Sequence, residues 1–321
     1  MLNPKQAWLR RNNPELFEDE DDTALRIGSA VDCLLTSPER WDTDFVVGDV
    51  FKPYGLMLKF VRNLPKGLEA NSPVEAYQEA YEKAGYKKGI DWVINQFTTN
   101  EKLVEYYLWL TSKSVDRIGL TKDEYQLVIK CVETIKTNEF VRRFFINTED
   151  GIELKHQMPI MFDYVLDSDS FECKALLDGV LINHNDRTIQ PFDLKTTGKS
   201  VWEFSSSFLH FGYYRQCALY EYALKSKTSP VHQLLEEGYE ILDYTFIVVE
   251  KDSNNPALIY VTSPSDRFCG LYGGKVGSKY YEGIESLLRA YKWHSENDYW
   301  ELPRDVYENQ GVVQLNIFNT N

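Results

Sequence analysis

Two apolar runs, Ala175-Leu-Leu-Asp178-Gly-Val-Leu-Ile182 and Ile189-Gln-Pro-Phe-Asp193-Leu194, flank a polar His184-Asn-Asp-Arg187 centre. Runs of this length around such a centre fold as a β-hairpin. A turn centred between Asn185 and Asp186 sets Asp178 directly opposite Asp193, with Cβ atoms about 5 Å apart. Lys195 lies two residues past Asp193 and therefore shares its face. The register is demanding, because a slip of one residue would move one aspartate to the other face.

Two carboxylates this close repel each other, so either one takes a proton or a cation sits between them. Carboxylates with backbone oxygens and water suit a hard ion such as Mg²⁺ or Mn²⁺. Such an ion activates water and stabilises charge on a phosphoryl group. A neighbouring lysine orients that water or offsets negative charge in the transition state. Asp followed by Asp-x-Lys on a hairpin thus points to phosphodiester hydrolysis. The alternative is a set of exposed charges on a polar sheet face. Against that stands the apolar setting of both aspartates, where an acid without partners is costly.

Further motifs follow in a fixed order. Phe208-Leu-His-Phe-Gly-Tyr-Tyr-Arg-Gln216-Cys-Ala-Leu-Tyr220 comes after the Asp-x-Lys strand. Gln216 and Tyr220 are four residues apart and share a helix face, with Tyr213 on the same side. Upstream lies Arg26-Ile-Gly28-Ser-Ala-Val-Asp32, and downstream lies Tyr244-Thr-Phe-Ile-Val-Val-Glu250. Together these segments resemble the PD-(D/E)xK nuclease superfamily, in the branch of RecB-like nuclease domains and RecE-type phage exonucleases. The resemblance covers most of the chain. It implies a restriction-endonuclease-like α/β (α+β) fold, a mixed central sheet flanked by helices with a helical N-terminal region.

The resemblance also implies roles. Asp178, Asp193, Lys195, Gln216 and Tyr220 become catalytic residues. Asp178, Asp193, the Leu194 carbonyl and Asp32 become ligands of Mg²⁺ or Mn²⁺. Many relatives carry histidine where this chain has Asp32. Aspartate ligates Mg²⁺ directly, and the alternative is a plain helix carboxylate. The implied activity is a DNA exonuclease, 5′-to-3′ on linear duplex ends, in phage-type homologous recombination or repair. A single-strand annealing protein and a ring-like homo-oligomer are the implied partners. A RecB-like endonuclease, a single-strand nuclease or a non-catalytic binding member are the alternatives.

The net charge of −14 argues against a protein that coats DNA nonspecifically. Local cations remain near the motifs: Lys195, Lys199 and Arg215, then Lys275 and Lys279 in a glycine-rich stretch. That stretch lacks the Lys-Ser/Thr of a phosphate loop, and its flexibility suits a DNA-contacting loop. The acidic run at residues 15–22 reads as a solvated loop. The five cysteines are scattered without Cys-x-x-Cys spacing, so neither a disulfide framework nor structural zinc is expected. No apolar stretch is long enough to span a membrane and the N-terminus has no secretory pattern, so a cytoplasmic location is expected.

Periodicity predicts helices over residues 23–35, 74–84, 101–110 and 121–137, the last capped by Thr121. Residues 40–72 read as irregular, broken by prolines. Strands are expected at 152–166, 171–183, 188–196, 239–250 and 257–263, with a last one at 312–318. One helix is expected at 206–226 and a long one at 278–296. The organisation expected is a single nuclease domain over 1–321. It has a mainly helical part at 1–147, a core at 148–300 and a tail at 301–321. Glu153 is a further candidate carboxylate upstream of the hairpin.

Overall fold

The computed structural model describes residues 4–13, 23–68, 72–112, 117–147, 149–252 and 254–313. The chain divides into two compact units. One is Phe17–Glu133, and the other combines Met1–Leu16 with Thr134–Asn321. The acidic run at 15–22 lies outside the described residues. No helix among the described residues is long and apolar enough to cross a membrane.

The first unit is mainly helical. Thr23–Thr36, Gly55–Arg62, Gln78–Ala84, Ile90–Thr98 and Glu101–Ser112 are α-helices. Phe60, Tyr77, Val93 and Tyr106 are fully buried in its core. The expectation that residues 40–72 are irregular is corrected. They contain the helix Gly55–Arg62 and a strand β1, Phe45–Gly48, which pairs in parallel with β2, Ile118–Thr121. The prolines fall between these elements rather than within them, so they mark joints and not disorder.

Thr121 ends β2 and caps the helix Lys122–Thr137, as its sequence signals. Its Oγ1 accepts from the Glu124 amide at 3.3 Å, and Glu124 Oε2 accepts from the Thr121 amide at 2.9 Å. This reciprocal pair satisfies two amides that a helix start leaves open. Glu124 is buried and also meets Arg26 at 3.1 Å and Lys52 at 2.7 Å. Burial pushes its carboxyl up, but hydrogen bonds from Lys52 and Thr121 and the Arg26 charge outweigh burial and hold it low.

The second unit is built on a mixed sheet in the order β3-β4-β5-β7-β8, with β6 beside β5. The strands are β3 Ile152–Leu166, β4 Asp169–Asn183, β5 Thr188–Thr197, β6 Glu240–Ile241, β7 Thr245–Glu250 and β8 Leu258–Val261. β3, β4 and β5 form an antiparallel meander, and β7 runs parallel to β5. A parallel neighbour requires a crossover, and a right-handed crossover lays its helices on one face of the sheet. Here the crossover carries Phe204–His210 and Tyr213–Lys225. Thr245 to Val249 are all buried, as a strand covered on both faces must be. From Met158 to Leu166, β3 alternates buried and exposed, the pattern of a strand covered on one face.

Three further expectations are corrected. The single helix over 206–226 is two helices, broken at Gly212, whose φ of 72° is left-handed. The long helix begins at Ile284 rather than near 278. The glycine-rich stretch before it is the end of a helix, Pro264–Tyr272, followed by a hairpin of β9 Gly274–Val276 and β10 Lys279–Tyr281. Of the strand expected at 312–318, Val312 and Val313 are not extended-paired and the rest lies outside the described residues.

Glu124→Gln leaves Arg26 and Lys52 facing a neutral group, and breaking a buried pair of this kind is expected to destabilise the first unit by about 3 kcal/mol at pH 7. Because the folded carboxyl titrates below its ordinary value of about 4.3, its contribution is full above that pH and is lost as pH falls through the lower value. Urea unfolding at neutral and acidic pH should show a large gap between wild type and E124Q at neutral pH that closes in acid. A gap that stays constant would contradict this assignment.

Candidate active site

The hairpin takes the expected register. Asn183 pairs with Thr188 and Gly179 with Phe192, around a four-residue turn ending in Arg187 at φ 55°. Asn183 Oδ1 accepts from the Asn185 and Asp186 amides at 2.9 and 3.1 Å, which closes that turn. Gly179 is required here. A Cβ at that position would lie 2.0 Å from the Phe192 ring. Phe192 is fully buried and packs on Phe144, Phe145 and the His156 imidazole at 5.1, 5.6 and 5.9 Å.

At the next row the sheet splits. The paired registers step over this row: β3 and β4 pair at His156 with Gly179 and at Met158 with Leu177, β4 and β5 pair from Gly179 with Phe192, and Gln157 is left-handed at φ 50°. Beyond this row β4 pairs only with β3, while β5 pairs only with β7. Asp178 Oδ2 accepts from the Leu194 amide at 2.9 Å. The two aspartates therefore sit in the crotch of a forked sheet, their carboxyls within hydrogen-bond reach of each other.

The side chains around Asp193 come from three elements. Asp193 is 1 % exposed. Lys195, two residues on along β5, places its ammonium against Asp193 Oδ1. Gln216, on the helix Tyr213–Lys225, donates from Nε2 to Asp193 Oδ2. Tyr220, one turn further along that helix, lies near both aspartates, and its hydroxyl meets the Leu176 backbone. The Lys195 ammonium also lies 4.6 Å from the Tyr213 ring centroid and 5.9 Å from that of Phe246.

Burial pulls the Lys195 ammonium down, but Asp193 and Asp178 outweigh it and keep the lysine charged. Burial pushes the Asp193 carboxyl up, against the pull of Lys195 and of hydrogen bonds from Lys195, Gln216 and Asp178. Two acids facing one base leave one negative charge over in a buried place. That surplus favours either a proton or a cation.

Tyr244 was not singled out by the sequence, where it reads only as the first residue of a core strand. It is fully buried beneath the site, and its hydroxyl has no hydrogen-bond partner. Burial, then Asp193 and Asp178, push this phenol well above its ordinary range, so it remains a donor facing two acids. An unpaired buried hydroxyl is costly by about 1–3 kcal/mol. Only its spacing before Phe246, in register with Asp193, could have drawn notice. His156 is a second such residue. It is stacked on Phe145 at 6.1 Å against the Asp178 backbone, and burial holds its pKa down.

The structure thus brings Asp178, Asp193, Leu194, Lys195, Gln216 and Tyr220 together. Glu153 does not join them. It pairs across from Ile182 near the hairpin turn and meets His184 at 3.2 Å and Lys155 at 3.3 Å. Asp32 belongs to the other unit, half-buried on the helix Thr23–Thr36, where its carbonyl accepts from Thr36 Oγ1 at 2.9 Å. Among the described residues no three His, Cys, Asp or Glu side chains converge as a metal cluster. The donor set of two carboxylates fits Mg²⁺, which takes one or two carboxylates and completes its octahedron with water and substrate oxygens. The surplus negative charge agrees with that fit.

Compared with models of known protein families the chain matches none, and no curated protein matches it in sequence.

Gly179→Ala drives a methyl into the Phe192 ring, which is fully buried and cannot move aside. Overpacking of this kind costs about 2 kcal/mol, so the urea midpoint of G179A should fall accordingly. An unchanged midpoint would show that Phe192 does not fix this row.

Proposed function

We propose that this chain is a metal-dependent deoxyribonuclease, an exonuclease that resects linear duplex ends 5′ to 3′ in phage-type recombination or repair. The observation that carries the reading is the convergence of Asp178, Asp193, Lys195 and Gln216 at the fork of a buried sheet. Buried ion pairs are poor devices for stability. Perturbed acids and bases gathered in one place are instead what a reaction needs. The resemblance of the motifs to the PD-(D/E)xK nucleases supplies the substrate class.

Bound Mg²⁺ or Mn²⁺ supplies a Lewis acid for the phosphoryl oxygens and acidifies water. Asp178 and Asp193 would hold the ion, with the Leu194 carbonyl proposed as a further ligand. Lys195 is held charged by both aspartates and sits on the Tyr213 ring, so its ammonium orients water and offsets charge developing on the phosphate. Gln216 fixes one oxygen of Asp193 and leaves the other to Lys195 and the ion. Tyr220 supports the backbone at Leu176 from the same helix. DNA is the proposed partner, together with a single-strand annealing protein and further copies of the chain in a ring, in a cytoplasmic setting. The net charge of −14 opposes nonspecific attraction for DNA.

The test uses end-labelled linear duplex beside a covalently closed circle, with Mg²⁺, Mn²⁺ or EDTA. Metal-dependent loss of the linear DNA alone is expected, and the labelled end reports polarity. Cutting of the circle would move the reading to a RecB-like endonuclease, and no cleavage with either metal would move it to a non-catalytic binding member. Asp193→Asn should lower the rate by about 10²–10³-fold, the scale of removing one strong electrostatic group, while the protein stays folded by circular dichroism. Full activity in D193N would sink the site assignment.

A further inference from the structure

From Lys195 a row of rings leads outward. Its ammonium lies on Tyr213, Tyr213 lies 5.7 Å from Phe211 at 34°, and Phe211 lies 4.8 Å from the His210 imidazole. Tyr213 is half-buried and held between Phe204 and Phe246, each at 5.8 Å and near-parallel. Phe211, by contrast, is 60 % exposed. A phenylalanine left in water forgoes about 1.5–3 kcal/mol that burial would give.

The backbone holds Phe211 firmly in that position. It occupies the corner between the helices Phe204–His210 and Tyr213–Lys225, where its amide donates to the Ser207 carbonyl at 2.9 Å. The next residue, Gly212, is buried and left-handed, and a Cβ there would lie 2.3 Å from the Arg215 guanidinium. Arg215 in turn donates to the Glu282 carbonyl at 3.2 Å. The residue is therefore held outside the core, one ring removed from the charged lysine of the site.

The exposed positions of the preceding helix, Ser205, Ser206 and His210, are polar, and Trp202, 65 % exposed, is a second ring at the start of the same segment. Exposed rings near a cationic group are how proteins take bases of a separated strand, since every base has a stacking face. A base inside intact duplex has both faces covered by its neighbours and offers none. We infer that the strand entering this site is unpaired beside the cut: Phe211 stacks on a base of a single-stranded or frayed end, while Lys195 and the carboxylates hold the adjoining phosphate. This rests on the nuclease reading of the same site and specifies the form of DNA it takes.

The experiment compares wild type, Phe211→Ala and Phe211→Trp on one short sequence presented as single strand, as blunt duplex and as duplex with mismatched terminal pairs. Binding is read by anisotropy of a fluorescein label with Ca²⁺ in place of Mg²⁺, and cleavage is read in parallel with Mg²⁺. Wild type should favour the single strand and the mismatched end over the blunt duplex. F211A should weaken binding of the single strand about tenfold, the scale of one lost base–aromatic stack, and raise KM more than it lowers kcat. F211W should restore both. If F211A binds the single strand as wild type does, or wild type treats the three ends alike, the inference is overturned and the nuclease reading stands. If F211A loses binding while wild type cleaves none of the three, the stacking site stands and the nuclease reading falls.

Discussion

One rung of the central sheet governs the second unit. At the row of Gln157, Asp178 and Asp193 the ladder is interrupted, and a carboxylate replaces a backbone acceptor by taking the Leu194 amide. A side chain reaches farther than a carbonyl, so β4 and β5 are held apart rather than zipped together. Everything next to this rung follows from that substitution. Phe192 locks the last closed row over Gly179, and the opened space beyond it receives Lys195, Gln216 and the hydroxyl of Tyr244.

The chemistry of the rung explains why it is so heavily supported. Asp193 has almost no access to water, and a carboxylate there requires partners on every side. It receives an amide from Gln216 and an ammonium from Lys195, drawn from a helix and from its own strand. Apolar replacements would give a more stable sheet, as they do for many buried charge groups. The arrangement is instead one that concentrates a surplus negative charge where the sheet parts, suited to a positive guest.

The part of this that could be read in the sequence was the part set by local rules. Two apolar runs around a polar four-residue turn pointed to the hairpin and its register, and a two-residue spacing put Lys195 on the face of Asp193. The Thr121 cap and the helix after it followed from hydrogen-bonding chemistry confined to four residues. The fork itself was hidden, since no pattern within β4 says that its neighbours part at Asp178. Tyr244 was hidden for a related reason, because a tyrosine in a strand of apolar residues looks like core until its hydroxyl is seen without a partner. The break at Gly212 was missed because the aromatic periodicity runs through it. The left-handed φ of 72° at Gly212 is a backbone corner that no side-chain pattern announces. In the first unit, β1 and β2 are short strands more than sixty residues apart, and such pairs are defined by tertiary packing rather than by their own composition.

The helix Tyr213–Lys225 touches both prongs of the fork. Gln216 bonds to Asp193 on the β5 side, and Tyr222 packs on Phe162 and Tyr164 of the β3–β4 arm at 5.9 and 4.5 Å. These two anchors are six residues apart, about 9 Å along a helix axis at 1.5 Å per residue. The helix therefore acts as a gauge block: the gap between the prongs is a length cut into one rigid rod. Sliding one prong against the other would have to break the Gln216 bond or the Tyr222 packing.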